Sequence, residues 1–342
     1  MPFTYPESSN PPLSHHDIAI THGTLHISSH PPNESSNSKL TLLHIHGNSS
    51  CSQSFHRLLS HTITQSPPSS IVAHRSLLLD LPGHGASTDA PDPETSYTQA
   101  GYAAAALEAL HAMGVLPPTN ERGGVVVMGW SLGGHVALEM VAADEARMAR
   151  EKAADATASP KRWVKGIMIV GTPPALGEEQ VAAGFIHEVP KDEEGASQEK
   201  EKKADEEDED EDHMLLAELE TWPAEAFDTF PFEAIGQPHE AWIRDAAKRT
   251  DGRARRIMFA AFKEARGVDQ RKLCEESDVP IAVVNGGAEP FVNLDYLDGI
   301  AYKNLWEGKA YRMEGLGHAP FWERPDLFAP FWERFVGFCE GI

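Results

Sequence analysis

The residues whose arrangement carries most chemistry are Gly129-Trp130-Ser131-Leu132-Gly133. They follow a short all-apolar run at 125–128 and precede an amphipathic helical stretch that runs to about residue 149. A strand that turns sharply into a helix exposes the residue at the turn. Small neighbours are needed there because the turn is tight, and the helix N-terminus behind it favours developing negative charge. Ser131 therefore reads as a nucleophile. A serine hydroxyl attacks poorly at neutral pH unless a base takes its proton. The base needs an orienting carboxylate, and the tetrahedral intermediate needs preorganised donors. Seventeen histidines are present, so residue type alone does not pick the base. His44-x-His46 has strand spacing, which turns the two rings to opposite faces and speaks against a metal site.

The elements around Ser131 follow from periodicity. Residues 17–28 predict a strand pair, with Ile18 and Ile20, then Leu25 and Ile27, about a His22-Gly23 turn. Apolar runs at 40–45, 76–80, 125–128, 164–170, 280–284 and 310–313 predict further strands. Helices are expected at about 54–61, 102–113, 132–149 and 325–339. Strands alternating with helices indicate an α/β fold, a mostly parallel, doubly wound sheet with helices on both faces. Ligands then sit at the carboxyl ends of the strands, where the glycines and polar residues cluster.

The alternation fails between 177 and 278. This stretch predicts helices near 213–220, 239–249 and 253–266, and it contains Trp222, Phe227, Phe230, Phe232 and Trp242. It reads as a helical cap whose aromatics form either a substrate roof or only the cap's own core, the second being favoured. Within it, residues 188–212 hold 14 Asp or Glu against four Lys. Such a run repels itself and has no apolar surface to bury, so a disordered acidic loop is expected at about 191–212. The domain reading is a flexible N-terminus at 1–16, a core at 17–176 and 279–342, and the cap at 177–278. No internal repeat is evident.

Four segments carry a resemblance to the α/β-hydrolase family: Leu43-His44-Ile45-His46-Gly47-Asn48, Asp80-Leu81-Pro82-Gly83-His84-Gly85-Ala86-Ser87, the serine elbow, and Gly317-His318. They occur in the family's order and are specific to its fold, not to one reaction. The resemblance implies that His318, between the last strand and the last helix, is the catalytic base. It implies an acid after the strand at 280–284, where Glu289 stands in place of the family's usual Asp; Asp295 and Asp298 are the fallback. It also implies an oxyanion hole made by the backbone N–H groups of Leu132 and Asn48. His46, His84 and His135 read as structural residues, and Trp130 as a pocket or core residue. Asp80 and Asp144 are not catalytic candidates.

The implied reaction is hydrolysis of a carboxylic ester, lactone or thioester of a small to medium, partly apolar substrate, through an acyl-serine, with no metal or organic cofactor. A serine nucleophile speaks against the dehalogenase and epoxide-hydrolase branches, which use aspartate. C–C bond hydrolysis, perhydrolysis, and a hydrolase-fold receptor with little turnover remain alternatives. The net charge of -23 speaks against nucleic-acid and anionic-membrane partners. Cys51, Cys274 and Cys339 form neither a disulfide framework nor a metal motif. The polar first twelve residues lack a secretory pattern, no apolar run reaches membrane-span length, and the sequon at Asn33 is expected to be unused, so a cytoplasmic protein is expected. Cys339-Glu340-Gly341-Ile342 lacks the aliphatic centre of a prenylation box.

Overall fold

The computed structural model describes residues 13–33, 38–66, 69–118, 123–186 and 213–341. The acidic stretch at 191–212 lies outside the described residues. Among the described residues eight strands form one sheet: β1 Ser14–Ile20, β2 Gly23–His30, β3 Leu40–Ile45, β4 Arg75–Leu79, β5 Gly124–Trp130, β6 Val164–Val170, β7 Ile281–Gly286 and β8 Tyr311–Met313. Their order is β1-β2-β4-β3-β5-β6-β7-β8. The first two are antiparallel, to each other and to β4, and the rest run parallel. The doubly wound α/β architecture expected from the sequence is the one observed.

Strands β3, β5 and β7 are buried along their whole length, which is why they read as unbroken apolar runs. Alternate residues serve opposite faces. Val125 and Val127 enter one core layer with helices Gln99–Ala112 and Leu132–Ala154. Val126 and Met128 enter the other with helices His56–Thr64 and Pro325–Glu340. Thr98 caps the first of these helices through the Gly101 N–H at 2.9 Å. Cys339 is buried in the terminal helix, over Gly166 of β6.

The first strand begins earlier than the sequence suggested. Residues 14–16, assigned to a flexible N-terminus, pair in β1 with Ser29, Ser28 and Ile27. Ser14-His15-His16 shows no apolar alternation because β1 is an exposed edge. Its register is held there by the ladder and by polar contacts such as His16 to Ser29 Oγ at 3.0 Å.

Between β6 and β7 the described residues form helices Gly177–Gly184, His213–Glu218, Ala226–Ile235, Ala241–Arg249, Gly252–Lys263 and Gln270–Glu276. The second, fourth and fifth match the sequence expectation. The first is short and begins and ends on glycine, the third contains Pro231, and the last is short and polar, so none carries a strong helical period. Arg255, only 3 % exposed, fixes this insertion to the sheet. Its guanidinium donates to the carbonyls of Leu219 (2.8 Å) and Glu220 (3.1 Å) and to Ser49 Oγ (3.2 Å), and it lies 4.4 Å from the centre of the Trp222 ring.

Candidate active site

Ser131 sits between β5 and helix Leu132–Ala154 at φ 53°, ψ -117°, outside the regions L-residues normally occupy. Its N–H donates to the Val170 carbonyl at 2.8 Å, and its carbonyl accepts from Thr172 Oγ1 at 2.9 Å and from the Gly134 N–H at 2.9 Å. The flanking glycines are demanded by close approach. A Cβ on Gly129 would stand 2.2 Å from the Gly133 carbonyl oxygen, one on Gly133 2.0 Å from that of Ile45, and one on Gly134 2.1 Å from Thr172 Oγ1. The pattern around the serine thus encodes a strained turn packed against the ends of two neighbouring strands.

His318 lies after β8, and its Nδ1 is 2.8 Å from both Glu289 oxygens. Glu289 follows β7, is buried, and accepts the Phe291 N–H at 3.0 Å through Oε1. A ring nitrogen facing a carboxylate donates, so Nδ1 carries the proton and Nε2 is left as an acceptor. Trp130 Nε1 donates to the His318 carbonyl at 3.0 Å, and its ring centre lies 5.6 Å from that of the imidazole. Trp130 is buried at 2 % exposure and lines the cavity. Asp295 and Asp298 are placed elsewhere, both paired with Arg312.

Ser131, His318, Asn48, Leu132 and Trp130 all line one cavity of about 60 Å³. The hydrogen bonds of the described residues include none from Ser131 Oγ to His318, so the two share a wall without touching through that bond. A loose nucleophile–base contact that tightens with substrate is common in ligand-free sites. Neither the Asn48 nor the Leu132 N–H has a partner among the described residues. The Asn48 side chain is occupied: Nδ2 donates to the Ala217 carbonyl at 2.8 Å and Oδ1 accepts from Ser49 Oγ at 3.3 Å. Ser49 itself is held at φ 55°. Much of the remaining wall is apolar and comes from the insertion, through Phe185, Phe230, Met258, Phe259 and Phe262. Phe230 both lines the cavity and packs in the core, so the two readings of the insertion's aromatics meet in it.

The other polar residues divide cleanly. His46 accepts the Leu81 N–H at Nε2 (3.1 Å) and donates from Nδ1 to the Gly47 carbonyl (2.7 Å), and burial lowers its pKa. Asp80 takes the N–H groups of Ser52 and Ala86, both at 2.8 Å, and Asp144 takes those of Trp163 and Val164. These are scaffold contacts, as the sequence suggested. Three supporting residues were not foreseen. Gly171, at φ 57°, leaves no room for a Cβ, which would stand 2.6 Å from His318 Nδ1. Its N–H is held by Asn285 Oδ1 at 2.8 Å. Glu323 accepts the Gly317 N–H at 2.8 Å, and burial raises its carboxyl above the usual range. His135, read from the sequence as a structural residue, lines the cavity. A lone glycine, glutamate or histidine carries no spacing signal that could have revealed these roles.

Residues 42–331 match the alpha/beta hydrolase family, and the chain belongs to it. Among solved structures it is similar to the N-acyl homoserine lactonase AidH complexed with N-butanoyl homoserine, at 35% identity and a TM-score of 0.73 over 95% of this chain and 97% of that one. A mutant of the same lactonase complexed with N-hexanoyl homoserine gives 34% and 0.74 over 96% and 98%. An esterase from Rhodococcus sp. ECU1013, at 19% identity and a TM-score of 0.62 over 95% and 98%, shares the fold. No curated protein matches the chain. Among the described residues no cluster of His, Cys, Asp and Glu could hold a metal ion, and no helix is long and apolar enough to cross a membrane.

Proposed function

We propose that this protein hydrolyses a carboxylic ester or lactone bearing an apolar acyl or alkyl chain, by way of an acyl-serine. The observation that carries the reading is the convergence on one cavity of a strained serine, a histidine bound to a buried glutamate, and two backbone N–H groups with no partner among the described residues. Ser131 Oγ attacks the carbonyl carbon as His318 Nε2 takes its proton, and Glu289 stabilises the imidazolium. The oxyanion is met by the N–H groups of Asn48 and Leu132. Donors aimed at charge that develops only in the transition state lower the barrier without reorganisation, typically by about 3–4 kcal/mol for one such donor. The imidazolium then protonates the leaving alkoxide. A water activated by the same Nε2 releases the acid and restores Ser131.

Within this class the lactone reading is favoured. The lactonase matches at 34–35% identity over nearly all of both chains, whereas the Rhodococcus esterase likeness is one of fold. The cluster of phenylalanines in the cavity wall suits an alkyl chain beside the reacting carbonyl. The test is a panel of N-butanoyl and N-hexanoyl homoserine lactones and the matching p-nitrophenyl esters, with Ser131→Ala as the control. Turnover of both kinds, lost in Ser131→Ala, is expected, with the lactones preferred in kcat/KM. Absence of turnover across the panel by a folded protein would remove the reading and restore the receptor alternative.

A further inference from the structure

The proposed mechanism leaves one polar group of the cavity wall unused. Ser131, His318 and the Asn48 backbone are assigned, and the Asn48 side chain is bound to Ala217 and Ser49. His135 has no such role. It stands four residues after Ser131 on helix Leu132–Ala154. Ser131 immediately precedes that helix and His135 lies on its first turn, and both line the same cavity.

The ring is held in a single tautomer. Gln270, 1 % exposed, donates Nε2 to the His135 carbonyl at 3.5 Å. A carbonyl oxygen only accepts, so the amide NH₂ must face it. Gln270 Oε1 is thereby turned to His135 Nδ1, at 2.7 Å. Nδ1 must donate to that oxygen, which leaves Nε2 with its lone pair. Nε2 has no hydrogen-bond partner among the described residues, and the ring lines the cavity. Phe262 packs edge-on against the ring at 4.6 Å and fixes its plane. Burial pulls the imidazole down to about 4, so it is a neutral acceptor at physiological pH.

We propose that His135 Nε2 is a specificity subsite that accepts a hydrogen bond from a donor carried within a few bonds of the scissile carbonyl, the N–H of an N-acylamino lactone. This deepens the lactone reading of the same cavity and rests on it. A substrate without the donor would cover Nε2 with hydrocarbon and leave a desolvated acceptor unpaired. A site built to bind a donor rejects its isostere for that reason.

The test compares N-hexanoyl homoserine lactone with a γ-butyrolactone of matched length whose amide is replaced by a hydrocarbon link. Each is assayed with the wild-type protein and with His135→Phe, which keeps a ring but no acceptor. The wild type is expected to favour the amide at least tenfold in kcat/KM, and His135→Phe to bring that ratio to within about twofold of one. A wild-type ratio near one overturns the proposal without any variant, so a misfolded His135→Phe does not shelter it. A tenfold preference that survives His135→Phe overturns it equally. Loss of Ser131-dependent turnover of both lactones, by contrast, defeats the underlying hydrolase reading, and the two failures are thus distinguished.

Discussion

At the scale of single residues, the Glu289–His318 pair makes the sharpest demand. Both carboxylate oxygens lie 2.8 Å from Nδ1, and one also holds the Phe291 N–H. Glu289→Gln can keep the contact with Phe291 but can present an N–H to the ring, favouring the wrong tautomer and removing the charge that stabilises the imidazolium. kcat is expected to fall on the order of 10⁴-fold, as for a triad aspartate, with the fold intact by circular dichroism. Asp295→Asn, on the Arg312 surface pair, should leave turnover near normal. The opposite pattern would move the acid. The placement of Ser131, His318 and Glu289, each where a strand ends, was legible. His135 and Gly171 were not, because their roles come from the approach of segments 135 and 147 residues distant in sequence: Gln270 reaches His135, and His318 covers Gly171.

At the scale of elements, the oxyanion loop does not stand alone. The Asn48 side chain is bound to helix His213–Glu218 through Ala217, and Ser49 to helix Gly252–Lys263 through Arg255. Burial lowers the Arg255 guanidinium to about 10, so its charge is retained at neutral pH, held by two carbonyls, a hydroxyl and the Trp222 face. Arg255→Met keeps the packing stem and deletes these bonds. It should destabilise the protein by about 2–4 kcal/mol, since hydrogen bonds to a charged group contribute about 1.5–3 kcal/mol and their buried acceptors would be left unpaired. It should also lower kcat about tenfold with a smaller change in KM. Thermal unfolding and steady-state kinetics measure the two effects, and an unchanged kcat would show that the tether serves only stability. The strands were readable because two covered faces leave an unbroken apolar run. The insertion was only half readable, since its helices are short and broken by Pro231 and glycines.

At the scale of the whole molecule, buried neutral histidines couple stability to pH. His44, His56 and His135 are each lowered to about 4, chiefly by burial. In the unfolded chain such groups titrate near 6.5. The folded state therefore binds fewer protons between these values. Their contribution is complete above about pH 6.5 and is lost as pH falls toward 4, amounting to a few kcal/mol for each well-buried ring. Melting temperature at constant ionic strength should be flat from pH 7 to 8 and drop steeply from 6.5 to 4.5. His44→Phe, whose ring is flanked by Phe55 and Trp332, should shallow that drop. An unchanged slope in this variant would remove His44 from the account.

The central claim is an acyl group carried by Ser131. Rapid acid quench of the protein turning over p-nitrophenyl hexanoate, followed by peptide mass analysis, measures it directly. The expected result is a hexanoyl mass on the peptide containing Ser131, absent from Ser131→Ala and accumulating when a mutation slows deacylation. Sustained turnover with no acyl group on that peptide, or turnover undiminished in Ser131→Ala, would contradict the account.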